Sequence, residues 1–362
     1  MASASAKEYT SDKIRNIALI GHGGSGKTTM SEALLFTSGT STRFGRVEDG
    51  STVSDYHPDE IERKISINSS LLHCDWEGCK FNILDTPGYS DFTGEVLSSL
   101  RVADIAVVLL KAVEGTEVGT EIVWNYTKNY QTPTVIVVNK LDNENAEFDK
   151  SFGSAKTRFG NDVTIIQFPA NEGLAFDSVV DVLKMKMLVY NRDGSGKCTE
   201  SDIPADHKER AEALHEELIE KIAETEEDLM NKFFEDGTLH DADLQKGLKL
   251  ALNAQKIFPV FCTAASMNIG LGSVLSFLVQ YGPSPLDRGP VAAMDIQKKL
   301  QLQVATDPAA QPSLFAFKTV SEQHVGELSF FRVYSGTVTP GLDLTNISNG
   351  KSERLGQIFV MN

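Results

Sequence analysis

Gly21-His22-Gly23-Gly24-Ser25-Gly26-Lys27-Thr28 is the stretch on which the fold turns. Its spacing is GxxxxGK followed by Ser or Thr. An apolar run, Ile17-Ala18-Leu19-Ile20, enters it as a buried strand, and Lys27 to Phe36 leaves it as a helix that ends near Gly39. This strand–loop–helix setting gives the spacing its mechanical meaning. Glycines let successive backbone N–H groups turn inward onto phosphate oxygens, and the start of the helix adds partial positive charge. Lys27 is placed to bridge the β- and γ-phosphates of a nucleoside triphosphate and Thr28 to ligate Mg2+, with Thr29 next in the same turn.

The pattern continues outward. Phe81-Asn82-Ile83-Leu84 reads as a strand and Phe92 to Val102 as a helix. Ile105 to Leu110 and Thr134 to Val138 are β-branched runs with a helix between them at about Glu117 to Asn129. Such alternation predicts a doubly wound parallel α/β sheet. Two of these strands end in polar motifs. Asp85-Thr86-Pro87-Gly88 follows Leu84; the aspartate is suited to hold Mg2+ through water, and Gly88 lets a backbone N–H approach a γ-phosphate and respond to its loss. Asn139-Lys140-Leu141-Asp142 follows Val138. A carboxylate there accepts two hydrogen bonds from the N1–H and exocyclic amine of guanine, a pair adenine does not offer, and the Lys140 stem lies along the base. Either motif alone also suits a surface turn; in series behind the phosphate loop they specify a guanine nucleotide. Thr263-Ala264-Ala265, after the apolar run Ile257 to Cys262, offers a backbone N–H to guanine O6, although an ordinary strand-to-helix turn reads the same way.

At 362 residues more than one domain is expected, and 41% hydrophobic with 23% charged residues is a globular balance. Met1 to Asn16 is polar, so no secretory leader is predicted, and no stretch is long enough to span a bilayer. These features predict a cytoplasmic protein with no membrane partner. A net charge of −16 disfavours nonspecific wrapping of nucleic acid but leaves room for a local basic face. Of the four cysteines, Cys74 and Cys79 flank a turn, Asp75 to Gly78, and are read as reduced hairpin thiols.

Near residue 172 the character changes. Ala205 to Glu224 is an acidic amphipathic helix with Ala211, Leu214, Leu218 and Ile222 on one stripe. The expected organisation is a nucleotide domain of residues 1–171 and 257–285, an inserted subdomain of 172–256, a polar linker of 286–311, and the start of an all-β domain at 312–362. Leu314 to Val320, Leu328 to Val333 and Gln357 to Met361 are read as its strands, with turns at Thr339-Pro340-Gly341 and Asn349-Gly350.

With these motifs in place, the chain resembles the translational GTPases, most closely their elongation factor G branch. The resemblance extends through Asp91-Phe92-Thr93-Gly94-Glu95-Val96, Val179 to Lys186, Leu328 to Thr337 and Glu353 to Ile358. It implies an α/β GTPase domain with an inserted α/β subdomain, then a β-barrel that is incomplete here, with three further domains after it in the family. It also implies GTP/GDP and Mg2+ as cofactors, and a monomer that binds the ribosome's factor site with its inserted subdomain toward the ribosomal stalk. The acidic helix at 205–224 is then a candidate contact, although a solvated helix face reads equally well.

Three departures bear on catalysis. Where the family's motif carries a histidine that positions the attacking water, this chain has Tyr89. A phenol holds its proton at neutral pH and is no general base, yet its hydroxyl can still orient a water. Gly24 stands where the family's loop has an aspartate. Arg63-Lys64-Ile65-Ser66 replaces the family's Arg-Gly-Ile-Thr, with Ser66 keeping the hydroxyl that Mg2+ requires and Lys64 making the loop less permissive. Lys27, Tyr89 and His22 are thus the candidate catalytic residues. The site residues form a slow switch on a ribosome-stimulated GTPase, a GTP- or GDP-gated ribosome-binding regulator with little hydrolysis, or a ribosome-protection factor.

Overall fold

The computed structural model describes residues 7–295, 298–322 and 326–360. β1 (Ile14–Gly21) runs into the glycine loop, and α1 (Lys27–Thr37) begins behind Gly26, whose left-handed φ of 93° needs a residue without a β-carbon. A long loop carrying α2 (Pro58–Arg63) leads to a hairpin, β2 (Ser70–Trp76) and β3 (Cys79–Asp85). The chain then alternates through α3 (Thr93–Val102), β4 (Ile105–Lys111), α4 (Val118–Asn129), β5 (Thr134–Asn139), α5 (Phe148–Phe159) and β6 (Val163–Ile165).

At Gln167 the chain leaves this sheet. β7 (Gln167–Pro169), β8 (Ser178–Asp181), β9 (Lys186–Tyr190) and β10 (Cys198–Ser201) form an antiparallel sheet in the order β10-β9-β8-β7. Helices α6 (Ala205–Ala223), α7 (Glu227–Asp236) and α8 (Asp241–Asn253) follow. β11 (Phe258–Cys262) then returns the chain between β5 and β6, and α9 (Leu271–Gln280) closes the unit. The central sheet has seven strands in the order β2-β3-β1-β4-β5-β11-β6, all parallel except β2. β4 and β5 are buried along almost their whole length, as a strand covered on both faces must be. The antiparallel sheet starts at Gln167, slightly ahead of the change in character at 172. In α6 the predicted stripe does face inward: Ala211, Leu218 and Ile222 are fully buried. α8 crosses it closely because Gly247 leaves room for Ile222 and Leu229, which a β-carbon there would meet at 2.5 and 2.7 Å.

Beyond the central unit the described residues form three two-stranded hairpins: β12 (Val291–Asp295) with β13 (Leu300–Val304), β14 (Ser313–Glu322) with β15 (Gly326–Ser335), and β16 (Asp343–Asn346) with β17 (Lys351–Arg354). Two expectations are corrected here. The expected linker, 286–311, carries the first hairpin. Its sequence hides the strands because neither buries a full face, with Met294, Leu300 and Leu302 all exposed. The strand expected at Gln357 to Met361 is absent over residues 357–360, and Met361 lies outside the described residues.

Candidate nucleotide-binding site

A cleft of about 690 Å3 opens above the ends of β1, β3 and β5, lined by Gly23, Gly24, Gly26, Lys27, Thr28, Thr29, Gly88 and Tyr89 at one end and by Asn139, Lys140 and Asp142 at the other. Open α/β sheets offer ligand sites at this edge, outside the carboxyl ends of the strands. At the loop end, α1 presents its first N–H groups with no side-chain cap, an arrangement that favours an anion. Lys27 is buried, and its Nζ donates to the carbonyls of Gly21 (3.1 Å) and His22 (3.0 Å). Burial lowers its pKa to about 8, against the opposing charges of Asp85 and Asp55. Ser25 is buried and accepts through its backbone carbonyl from Asn139 Nδ2 (2.9 Å), which ties the loop to the far motif.

Behind Thr28 lies an acidic group with too little positive charge. Asp85 is 1% exposed, and neither carboxylate oxygen has a hydrogen-bond partner among the described residues. Burial pushes its pKa up, opposed by the nearby Ser31 hydroxyl and the Lys27 charge. Asp55, from the loop before α2, is pushed up to about 7 by burial and then by the Asp85 charge, with Ser66 opposing. Thr28 Oγ1 and Ser66 Oγ stand 3.0 Å apart. Two hydroxyls beside a buried, unpartnered carboxylate are a donor set that fits a hard divalent cation, and Mg2+ keeps several waters when it binds such sites. Thr28 and Ser66 would hold it directly and Asp85 through water, where it would neutralise phosphate charge.

The loop that delivers Ser66 is anchored by two buried glutamates that sequence reasoning does not single out. Glu32 Oε1 on α1 accepts from Val53 N (2.6 Å), and Glu60 Oε1 on α2 accepts from Ile67 N and Asn68 N, both at 2.9 Å. Lys64 caps α2 in the left-handed region at φ 56°, a conformation that strains any residue with a β-carbon. Asp55 is likewise invisible in the sequence; nothing in its local surroundings separates it from an exposed loop acid.

At the far end Asn139 is held on both sides. Its Nδ2 donates to Ser25 O, and its Oδ1 accepts from Thr263 Oγ1 and Ala265 N, both at 3.0 Å. Ser266 Oγ donates to Asp142 Oδ2 (2.8 Å), and Lys140 turns the chain at φ 64°.

The family model of the elongation factor Tu GTP binding domain matches residues 12–284. The chain belongs to the translational GTPases. The crystal structure of ttk003000868 from Thermus thermophilus superposes with a TM-score of 0.82 at 30% identity, covering 95% of this chain and 48% of that one. This chain therefore spans about half the length of that protein.

Within this translational GTPase domain the sequence-read residues divide. Gly23, Gly24, Gly26, Lys27, Thr28, Thr29, Gly88, Tyr89, Asn139, Lys140, Asp142 and Ser66 share the cleft wall, whereas Gly21 and Ser25 do not line it. Asp85 lies beneath it. Thr86 is wholly buried and donates to Leu19 O (2.6 Å), and Pro87 is buried beside it, so these two shape the turn without facing the cleft.

Two expectations do not hold. The backbone N–H groups of Thr263, Ala264 and Ala265 are spent on Val138 O, Ile269 O and Asn139 Oδ1, so none is free for guanine; Ser266, one residue on, is the member that reaches the cleft. His22 is not among the cleft-lining residues. Its Nε2 faces Glu117 Oε1 at 3.4 Å and its ring packs against Gly119 at the start of α4, which removes it from the reacting side.

Proposed function

We propose that this translational GTPase is an elongation factor G-like switch that binds GTP with Mg2+, associates with the ribosome, and hydrolyses GTP slowly. In this reading the phosphate loop and Lys27 hold the β- and γ-phosphates, Thr28, Ser66 and Asp85 hold the metal, Gly88 reports the γ-phosphate, and Asn139, Lys140 and Asp142 select guanine. The supporting observation is that these groups line or underlie one cleft while the residue at its water side, Tyr89, is a half-exposed phenol. Phosphoryl transfer rests on positioning and charge stabilisation, so loss of a basic side chain slows the reaction without abolishing the fold's purpose.

The proposed setting is a cytoplasmic monomer at the ribosome's factor site, with the inserted module toward the stalk. Support for the last point comes from the exposed acidic face of α6, at Glu209, Glu212, Glu216 and Glu220, and from Phe234, 75% exposed on α7. Among the described residues no helix is long and apolar enough to cross a membrane. A second reading, a nucleotide-gated ribosome binder with almost no turnover, is favoured by the exposure of Tyr89, which is not held by core packing. Single-turnover GTP hydrolysis, with and without ribosomes, separates the two. The switch gives slow turnover that ribosomes accelerate and that Tyr89→His raises by about tenfold or more. A histidine variant no faster than wild type removes the claim that Tyr89 limits the rate.

A further inference from the structure

The glycines of the phosphate loop are not alike. Gly21, Gly24 and Gly26 sit at φ values of 149°, 74° and 93°, which account for them by backbone conformation alone. Gly23 does not have a positive φ, so its backbone would accept any residue. What a side chain there would press on is Tyr89, whose ring would have to give by a few tenths of an ångström. A β-carbon on Gly23 would stand 3.2 Å from Tyr89 Cζ and 3.4 Å from both Cε1 and Cε2, the tip of the ring. Nor does core packing put the ring there, because Tyr89 is 49% exposed. The ring leans on the loop at the one glycine that has no conformational reason to be glycine. The two backbones also touch: a β-carbon on Gly88 would meet Gly23 N and Cα, both at 2.8 Å, and the Lys27 ammonium. The Tyr89 turn, Gly23 and Lys27 thus form one contact, on the side of the cleft where a terminal phosphate would sit.

We propose that Gly23 and Tyr89 act as a matched positioning pair for GTP hydrolysis, the bare Gly23 seating the Tyr89 ring so that its hydroxyl orients the attacking water. This rests on the GTPase reading above. In the step concerned, the water oxygen bonds to the γ-phosphorus while the bond from that phosphorus to the β,γ-bridging oxygen breaks. GDP leaves with the bridging oxygen and its electron pair; one water proton stays on inorganic phosphate and the other passes to solvent. Tyr89 takes no proton. Its hydroxyl accepts a hydrogen bond from the water and fixes the direction of the oxygen lone pair. A larger residue at position 23 tilts the ring outward and loses that direction, while the guanine and metal contacts elsewhere in the cleft stay as they are.

A double-mutant cycle tests the pair. Guanine-nucleotide affinity and single-turnover hydrolysis with ribosomes are measured for wild type, Gly23→Val, Tyr89→Ala and the double variant, with Gly23→Ala in reserve should the valine not fold, since its methyl already meets the ring. The pair predicts that Gly23→Val slows hydrolysis of bound GTP at saturation by about tenfold or more beside Tyr89 and by less than about threefold beside Tyr89→Ala, a coupling that a general structural defect would not give. Equal losses from Gly23→Val in both backgrounds, or a Tyr89→Ala variant as fast as wild type, overturn the pair and leave the GTPase reading standing. Absence of guanine-nucleotide binding in all four proteins instead overturns that reading, and the pair with it.

Discussion

The two ends of the cleft are built on opposite principles. At the guanine end, Asn139 joins β5, the phosphate loop and the turn after β11 through three hydrogen bonds, and Asp142 is met by Ser266. At the phosphate end, Asp85 is buried with no partner among the described residues, Asp55 is driven up to about 7, and Lys27 spends its ammonium on the carbonyls of its own loop. One end is finished by the protein itself; the other is completed only by a cation and an anion from outside. Polar groups at the first end therefore support the fold whether or not a ligand is present, whereas those at the second cost stability until they are matched.

Asp85→Asn gives the sharpest contrast. It removes a buried charge that the Lys27 ammonium and the Ser31 hydroxyl offset only in part, so thermal unfolding of the nucleotide-free protein should show a gain of about 1–3 kcal/mol at neutral pH. The raised pKa of Asp85 fixes the sign: a carboxyl that resists ionising in the fold loses stability as pH rises from the ordinary aspartate value toward the folded one, and asparagine avoids that loss. The same substitution should weaken Mg2+-dependent GTP binding by roughly a hundredfold. A variant that is both less stable and binds normally would break the contrast.

Asn139→Ala should behave in the opposite way. Three hydrogen bonds vanish and the Ser25 carbonyl and Ala265 N–H are left buried, so the nucleotide-free protein should lose about 2–3 kcal/mol in denaturant unfolding. If its stability is unchanged without ligand, the guanine end is not pre-built.

A smaller effect tests what holds the phosphate end from outside. Lys318 on β14 is nearly buried, and its Nζ reaches Ser69 O (2.8 Å) and Glu95 Oε2 (2.7 Å); Glu95 also accepts from Ser69 N (2.7 Å) and Ser69 Oγ (2.6 Å). This node binds the segment just after Ser66 and the helix just after Tyr89 to the hairpin region. Lys318→Met should cost about 1–2 kcal/mol, less than a fully buried pair because Glu95 is partly exposed, and should speed hydrogen exchange in β14 and around Ser69. Unchanged exchange would show that the node holds nothing.

The smallest expected effect is on pH. Burial raises the Glu95 pKa, but Lys318 and Ser69 outweigh it and the net shift is downward from 4.5. Its stabilisation is therefore complete above that value and is lost as the pH falls through the lower folded one. An acid titration of the wild type should show this loss, and Glu95→Gln should remove it.

The sequence discloses what depends on local spacing. The strand into Gly21, the helix from Lys27, the alternation that builds the central sheet and the motifs at the strand ends all follow from runs of a few residues. It does not disclose what depends on distant partners. Glu32, Asp55 and Glu60 look like ordinary loop and helix acids until folding puts Asp55 in the cleft wall and the two glutamates on the backbone of the loop beside it. The N–H groups of Thr263 to Ala265 look free until Asn139, more than a hundred residues earlier in the chain, claims one. The hairpin at Val291 to Val304 reads as linker because hairpins with two wet faces carry almost no hydrophobic signal.

The most direct test of the finished and unfinished ends is a calorimetric titration of GTP, with ATP as the control, in Mg2+ and in excess chelator. GTP should bind at least about a hundredfold tighter than ATP in both conditions, because the guanine end needs no metal, and should lose about tenfold or more in affinity on chelation. ATP binding as tight as GTP, or GTP affinity indifferent to Mg2+, would contradict the contrast between the two ends.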